Sequence, residues 1–166
     1  MKLRKLEIKD AEAMLEWMHS KNVVEMLAQN FEDKTINDCK QFIKNANEDE
    51  SIFLHRAICN DEDEYLGTVS LKHINMQDRN AEYAISMREK AMGTGASMYG
   101  TKEILKYAFD ELHLEKVYLN VISENVRAKK FYAKAGFQYE GTAKKHIMIQ
   151  GSLHDLEWYA FYSNVK

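Results

Sequence analysis

One stretch in the second half of the chain decides the fold, and it runs Asn125-Val126-Arg127-Ala128-Lys129-Lys130-Phe131-Tyr132-Ala133-Lys134-Ala135-Gly136-Phe137. Asn125 is a residue type that caps helix N-termini, and Gly136 is the type that follows a helix C-terminus. The stretch therefore predicts a helix that runs from Asn125 to Ala135. Tyr132 lies about two helical turns after Asn125, so we expect both side chains on the same helix face.

A change of periodicity precedes this helix. Residues 81–87 alternate apolar and polar side chains as a half-buried strand does, whereas the apolar residues between Met98 and Leu112 recur at helical spacings. Residues 116–122 alternate again and predict a second strand. A strand, a helix and a strand in this order predict a parallel crossover connection.

The flanking segments complete an α/β (α+β) prediction. The first part of the chain predicts, in order, a strand at Leu3–Ile8, helices after Asp10 and Thr35, and strands at Ser51–Asn60 and Tyr65–Ile74. The last part predicts a hairpin in which Gln150-Gly151-Ser152 joins Ala143–Ile149 to Leu156–Tyr162. We expect a single domain, residues 1–166, with a mixed sheet flanked by helices.

The composition limits the classes of function. The chain has 166 residues, with 23 Lys and Arg against 26 Asp and Glu. This balance argues against nucleic-acid binding, which favours a strongly basic surface. Cys39, Cys59 and the histidines lack the spacing of metal ligands, so we expect reduced thiols and no metal. The charged N-terminus and the lack of an apolar run of about 20 residues predict a cytoplasmic protein without a membrane segment.

A glycine-containing loop, Met92-Gly93-Thr94-Gly95-Ala96-Ser97, separates a predicted strand from a predicted helix. Free N–H groups at a helix N-terminus attract anions, most often phosphate. Two common phosphate motifs fail here, because Met98 stands at the third glycine of GxGxxG and Thr101 at the lysine of GxxxxGK[ST]. A plain strand-to-helix turn is the alternative to a phosphate site.

The segment from Ala81 to Phe137 resembles the GNAT acetyltransferase superfamily, in the branch of ribosomal-protein N-terminal and spermidine N-acetyltransferases. Residues 125–137 match its Asn-x-x-Ala-x-x-x-Tyr-x-x-x-Gly-Phe signature, which is the most specific part of the resemblance. Residues 80–85 resemble the fourth strand of that branch, and residues 107–119 resemble its third helix and fifth strand. With the opening Leu3-Arg4 and Asp10-Ala11 and the hairpin at Gly151, the resemblance covers essentially the whole chain.

The loop departs from the family pattern [Gln/Arg]-x-x-Gly-x-[Gly/Ala]. A gapless alignment places Met92 at the Gln/Arg position and Ser97 at the final small residue, whereas a shift by two residues uses Lys90, Gly93 and Gly95. The family uses this loop to bind the pyrophosphate of acetyl-CoA, and in both registers the backbone amides of residues 93–97 would face that group. The departure therefore concerns side-chain contacts of the loop and not its backbone amides.

The resemblance implies that the fourth and fifth strands are parallel but splay apart, with acetyl-CoA as co-substrate in the opening. The fourth strand would pair with pantetheine and polarise the thioester carbonyl. The loop would hold the pyrophosphate, and the helix after Asn125 would cover the arm. The implied acetyl-CoA-binding residues are Ile85, Ser86, Met87, Met92, Gly93, Thr94, Gly95, Ala96, Ser97, Met98, Asn125, Ala128 and Lys129.

Two residues are implied in catalysis. Tyr132 would protonate the departing thiolate as a general acid, and the alternative is a core aromatic residue between Phe131 and Phe137. Glu82 would accept the proton of the attacking amine, and the alternative is a surface or substrate-orienting carboxylate. The amine would attack directly, without a covalent enzyme intermediate.

The implied acceptor is a polyamine, an amino sugar or other small amine, or a protein N-terminus. Its contacts would come from residues 17–31 and 146–158. The acidic candidates are Glu25, Glu32 and Asp33, with a solvated acidic face as the alternative, and the aromatic candidates are Trp17, Phe31 and Trp158, with core packing as the alternative. The non-catalytic alternative is an acyl-CoA-binding sensor or scaffold. The missing Gln/Arg favours that alternative, whereas Asn125 and Tyr132 favour catalysis. Exposed strand edges near the last hairpin are compatible with a homodimer or higher homo-oligomer.

Overall fold

The structure is a computed structural model that describes residues 1–164. The strands in this part of the chain are β1 (Lys2–Arg4), β2 (Leu54–Cys59), β3 (Tyr65–Asn75), β4 (Asn80–Met87), β5 (Lys116–Ile122), β6 (Gln138–Ile149) and β7 (Ser152–Tyr162). The α-helices are α1 (Ala11–Met18), α2 (Lys21–Val24), α3 (Ile36–Glu48), α4 (Ala96–Asp110) and α5 (Val126–Ala135). None of the helices described is long and apolar enough to cross a membrane.

The strands form one mixed sheet in the order β1-β2-β3-β4-β5-β7-β6. Neighbouring strands are antiparallel, except that β4 and β5 are parallel and are connected through α4. Their pairing is short: it covers Asn80–Glu82 of β4 and Lys116–Tyr118 of β5, and then the strands separate. The expected mixed α/β fold with a splayed parallel pair is confirmed.

The sheet separates two apolar clusters. The neighbouring residues Ala57 and Ile58 of β2 belong to different clusters, as the alternation of side chains along a strand requires. One cluster packs the sheet against α4, with Ile104 and Ala108 buried. The other packs the opposite face against α1 and α3. Helix α5 has no fully buried residue, and its partly buried residues Ala128, Tyr132 and Ala135 pack against the cluster on the α4 side.

The first strand ends at Arg4 and not at Ile8 as expected. The Arg4 guanidinium donates two hydrogen bonds of 2.8 and 2.9 Å to the buried Asp10 carboxylate, which also accepts from the Glu7 amide at 2.8 Å. These contacts bend residues 8–10 into a 3₁₀ turn. Asp10 therefore binds a guanidinium and caps this turn, and its side chain makes no cap hydrogen bond to α1.

Candidate active site

A cleft of about 480 Å³ lies where β4 and β5 separate. Its walls come from the end of β4, the glycine-containing loop, α5 and the segment that contains α2. Tyr132 lines it together with eight of the expected acetyl-CoA-binding residues, namely Ile85, Ser86, Met87, Met92, Gly93, Ser97, Asn125 and Ala128. Segments far apart in the sequence are thus brought to one concave site.

The pairing of the strands explains why the cleft exists. Beyond Glu82 and Tyr118, β4 continues to pair with β3 as far as Met87, and β5 pairs with β7 as far as Ile122. Each strand therefore keeps one partner, while the edges that face each other pair with no strand in the described part of the chain, residues 1–164. Unpaired strand edges offer N–H and C=O groups to an extended ligand.

Gly67 of β3 lies opposite Met87 of β4. A Cβ atom at position 67 would come 2.5 Å from both the Met87 Sδ atom and the Ser86 carbonyl oxygen. Because glycine has no side chain, β3 can approach β4 closely where β4 forms the wall of the cleft. Gly67 therefore supports the position of the cleft-forming backbone, a role that the sequence pattern alone did not assign.

The glycine-containing loop presents free amides to the cleft. Gly95 precedes α4 with a φ of 89°, a left-handed conformation that favours glycine. The Thr94 hydroxyl donates to the Ala91 carbonyl at 2.7 Å and fixes the turn. Within residues 1–164, the amides of Gly93, Gly95, Ser97 and Met98 make no hydrogen bond. Together with the dipole of the 15-residue helix α4, they form a site suited to an anion.

Arg127 is a cleft residue that the sequence analysis did not select. It lines the cleft, and its Nη2 atom contacts the Met92 Sδ atom at the edge of the loop. Its position in the sequence could have indicated a functional role. Arg127 lies in the first turn of α5, where the helix dipole disfavours a cation. A cation in that position is better explained by a nearby anion than by helix stability.

Asn125 and Tyr132 lie on the same wall of the cleft. The Asn125 Oδ1 atom accepts a hydrogen bond of 3.1 Å from the Ala128 amide, which is the predicted cap of α5, and its Nδ2 group remains available as a donor. The Tyr132 ring packs edge-on against Tyr83 and Phe137, with ring centroids 6.1 and 5.9 Å apart. Burial raises the pKa of Tyr132 to about 12, so its hydroxyl keeps its proton at neutral pH.

Glu82 lies outside the lining of the cleft. It belongs to the last paired step of β4 and β5, and its Oε1 atom is 3.0 Å from the Lys72 Nζ atom. The other expected residues outside the lining are Thr94, Gly95, Ala96, Met98 and Lys129. Of these, Ala96 is fully buried, and the Lys129 Nζ atom lies 3.3 Å from the Glu157 carboxylate.

A second cavity of about 260 Å³ shares the lining residues Ile85 and Ser86 with the cleft. It lies between the sheet and the α1–α3 side of the molecule. Its remaining lining residues are Met14, Trp17, Met18, Gln29, Phe31, Lys34, Asp38, Cys39, Phe42, His55, Thr68, Ser70, Lys72 and Ala84. Both cavities are therefore adjacent to the same two residues of β4.

The segment between α2 and α3, residues 25–35, borders both cavities. Leu27 lines the cleft, whereas Gln29 and Phe31 line the second cavity. Helix α2, which precedes this segment, is held by the turn after β4. The Glu89 carboxylate of that turn accepts hydrogen bonds of 3.0 Å from Ser20 Oγ and 2.9 Å from Asn22 Nδ2.

The residues expected to contact the acceptor are dispersed. Trp17 and Phe31 line the second cavity, and their rings meet edge-on with centroids 5.2 Å apart. Glu25 lines the cleft. Trp158 packs against Tyr118. Neither cavity is lined by Glu32, Asp33 or Trp158.

The structure is an α/β protein in which parallel strands separate beside a helix N-terminus with free amides, an arrangement suited to an extended anionic ligand. The sequence profile described as the acetyltransferase (GNAT) domain matches residues 3–158, and the chain belongs to this family. The resemblance expected from the sequence is confirmed.

Individual relatives differ in their named acceptors. The chain is 34% identical to the spermidine N(1)-acetyltransferase of Vibrio cholerae over 92 residues, which are 55% of this chain and 53% of that protein. It is 26% identical to the [ribosomal protein uS5]-alanine N-acetyltransferase of Escherichia coli over 96 residues, 57% of this chain and 50% of the relative. The chain thus matches about half the length of these curated relatives.

The fold as a whole has close structural neighbours. A crystal structure of spermidine N-acetyltransferase from Vibrio cholerae in complex with CoA and spermine superposes with a TM-score of 0.86. The superposition covers 97% of this chain and 94% of that one, at 24% sequence identity, and it shows a common fold. Within residues 1–164, no three His, Cys, Asp or Glu side chains are arranged to hold a metal ion.

Proposed function

We propose that the protein transfers the acetyl group of acetyl-CoA to a primary amine by direct attack in a ternary complex. The observation that carries this proposal is that two cavities share Ile85 and Ser86 of β4 in their linings. One cavity offers a strand edge and an anion site, and the other offers a separate space from which a second substrate can reach the same point.

The cleft suits the parts of acetyl-CoA in order. The pyrophosphate would accept hydrogen bonds from the amides at the N-terminus of α4. Arg127 would supply the side-chain donor that the family has, as Gln or Arg, at the position of Met92. The pantetheine arm would lie between β4 and β5, paired with the free edge of β4 and covered by α5, with Asn125 Nδ2 as a donor.

The thioester would then lie beside Ile85 and Ser86. A backbone N–H of β4 would donate to the carbonyl oxygen and stabilise the negative charge of the tetrahedral intermediate. The amine nitrogen forms a bond to the carbonyl carbon, and the C–S bond breaks as the intermediate collapses. Tyr132 donates its hydroxyl proton to the leaving sulfur, and its pKa of about 12 suits a group that must arrive protonated.

For Glu82 we propose the orienting role and not that of the general base. Its carboxylate is held by Lys72, and it lines neither of the two cavities. It would position the Lys72 ammonium at the edge of the second cavity, and water would accept the proton of the attacking amine.

Release of free CoA thiol from acetyl-CoA, measured with a panel of primary amines, tests the proposal. We expect turnover by the wild-type protein and a loss of at least about 100-fold in kcat with Tyr132→Phe. Binding of acetyl-CoA without turnover by any amine would favour a non-catalytic sensor or scaffold. Absence of acetyl-CoA binding in calorimetry would contradict both functions.

A further inference from the structure

The second cavity has a lining that argues for one class of acceptor. Its wall is mainly apolar and includes Trp17, Phe31 and Phe42. The Trp17 and Phe31 rings are in edge-on contact, and Phe42 packs in the same way against His55, with centroids 4.9 Å apart. A wall of this kind favours a flat or branched apolar body.

The charges at the second cavity are unfavourable for a polycation. Its charged lining residues are Lys34, Asp38 and Lys72. The Asp38 carboxylate is already engaged at the N-terminus of α3, where it accepts hydrogen bonds from the Thr35 amide at 2.7 Å and the Thr35 hydroxyl at 2.8 Å. Lys72 is paired with Glu82, whereas Lys34 forms no ion pair with any carboxylate of residues 1–164.

The polar floor of the cavity is uncharged at neutral pH. His55 Nδ1 lies 2.7 Å from Ser70 Oγ, and both side chains are buried. Burial, with the nearby charge of Lys72, lowers the pKa of His55 to about 4, so the imidazole stays neutral near pH 7. A polyamine carries further ammonium groups besides the one that reacts, and these would meet the neutral His55 and Ser70 side chains and the Lys34 ammonium here.

We propose that the acceptor is a compact monoamine with an aromatic or branched aliphatic body and no second cationic group. Its body would occupy the second cavity between Phe31, Phe42 and the sheet, and its amine would reach the thioester at Ser86. The cavity of about 260 Å³ is below the range of about 300–1,000 Å³ usual for drug-sized ligands, which limits the body to about the size of one or two rings. This inference rests on the proposed function.

The comparison of tryptamine and phenethylamine with spermidine and spermine tests the acceptor class. We expect kcat/KM for the better aromatic monoamine to exceed that for spermidine by at least about tenfold. A peptide whose N-terminal residue is aromatic forms a further arm, and turnover of it identifies a protein N-terminus as the source of the same chemistry. A higher kcat/KM for spermidine or spermine would overturn the inference.

Two variants test whether the second cavity holds the amine. Phe42→Ala should raise KM for the aromatic monoamine about tenfold with a smaller change in kcat. Phe53→Ala is the matched control, because Phe53 packs against His73 with the same edge-on geometry, is similarly exposed, and lies outside the cavity. Equal effects of both substitutions would contradict the placement.

A change of charge at the second cavity tests whether its cation disfavours polyamines. Lys34→Glu should raise kcat/KM for spermidine relative to tryptamine, whereas Lys40→Glu, on the exposed surface of α3, makes the same change in net charge away from the cavity. An unchanged ratio in both variants would contradict the proposal.

Binding separates failure of this inference from failure of the proposed function. Calorimetry with the CoA-saturated protein measures amine binding without acetyl transfer. Tighter binding of tryptamine than of spermidine would support the acceptor class even if no acetyl group is transferred. Tighter binding of spermidine would contradict it even if the protein is an active acetyltransferase.

Discussion

Gly67 and Met87 oppose each other across β3 and β4 so closely that the strands would have to shift if position 67 carried a side chain. Gly67→Ala should therefore lower the free energy of unfolding by about 1–3 kcal/mol. Because the displaced backbone forms the wall of the cleft, it should also raise KM for acetyl-CoA. Denaturant unfolding and initial rates measure the two effects.

Gly100→Ala is the matched control for Gly67→Ala. A Cβ atom at position 100 would contact the Ile58 side chain, and Gly100 lies outside the lining of the cleft. This substitution should therefore cost stability while KM for acetyl-CoA stays close to the wild-type value. A rise in KM with both substitutions would show that general destabilisation, and not displacement of β4, impairs the cleft.

Tyr132→Phe removes the hydroxyl and keeps the ring that packs against Tyr83 and Phe137. We expect kcat to fall about 10²–10⁴-fold, with stability and acetyl-CoA binding nearly unchanged, because a general acid contributes at this scale. Since the pKa of Tyr132 is raised to about 12, ionisation of this group should cause no loss of rate between pH 7 and pH 10. A wild-type rate that falls in that range with an apparent pKa lost in Tyr132→Phe would contradict the role.

Arg127→Ala should weaken acetyl-CoA binding, because it removes the cation beside Met92 and the free amides of the loop. A charge-assisted hydrogen bond contributes about 1.5–3 kcal/mol, which predicts a rise in Kd of about 10- to 100-fold. Lys130→Ala, on an exposed position of α5 outside the cleft, should have little effect. Calorimetry at two salt concentrations measures both, and equal losses would show that only the net charge of α5 matters.

Glu82→Gln distinguishes an orienting carboxylate from a general base. If Glu82 only positions Lys72, kcat should fall less than about tenfold and the pH profile should keep its shape. Removal of a general base should cost about 10²–10⁴-fold and abolish the acidic limb of the profile. Initial rates over a range of pH give the answer.

His55 should make stability depend on pH. Its pKa is about 4 in the folded protein, against an ordinary value of 6.5, so the unfolded chain binds more protons between these two pH values. The free energy of unfolding should therefore decrease as the pH falls from 6.5 towards 4, by on the order of 3 kcal/mol in total. His55→Gln should flatten this dependence.

His146→Gln, at an exposed position of β6, is the control for His55. It should leave the pH dependence of unfolding unchanged, and denaturant titrations at several pH values compare the three proteins. Carboxylates such as Asp63, whose pKa is lowered by Lys9 and Arg4, are present in all three and cancel in the comparison. If the free energy of unfolding depended on pH in the same way in the wild type and in His55→Gln, the conclusion that His55 is buried and neutral would be contradicted.

The sequence predicted the features that depend on local pattern. The cap at Asn125, the crossover between β4 and β5 and the position of the glycine-containing loop all follow from residue types and spacing. The ends of elements were less predictable, because β1 stops where Arg4 finds Asp10, a contact that no periodicity shows. The family resemblance supplied the splayed strands.

The second cavity could not be predicted as a site. Its lining combines residues of α1, α3 and three strands with the segment 25–35, and their convergence is a property of the fold. Sequence reasoning named Trp17 and Phe31 as acceptor residues but not the uncharged floor formed by His55 and Ser70. The same limit applies to Arg127, whose contact with Met92 joins two elements that are 35 residues apart.

The segment between α2 and α3 is a shared wall, with Leu27 on the cleft and Phe31 on the second cavity. A ligand that orders this wall from one side changes the free energy of binding on the other side. Thermodynamic linkage then requires the effect to be reciprocal: any factor by which CoA alters the affinity for the amine is the factor by which the amine alters the affinity for CoA. Because Leu27 and Phe31 are only four residues apart, this wall is where such a coupling between the two substrates would arise.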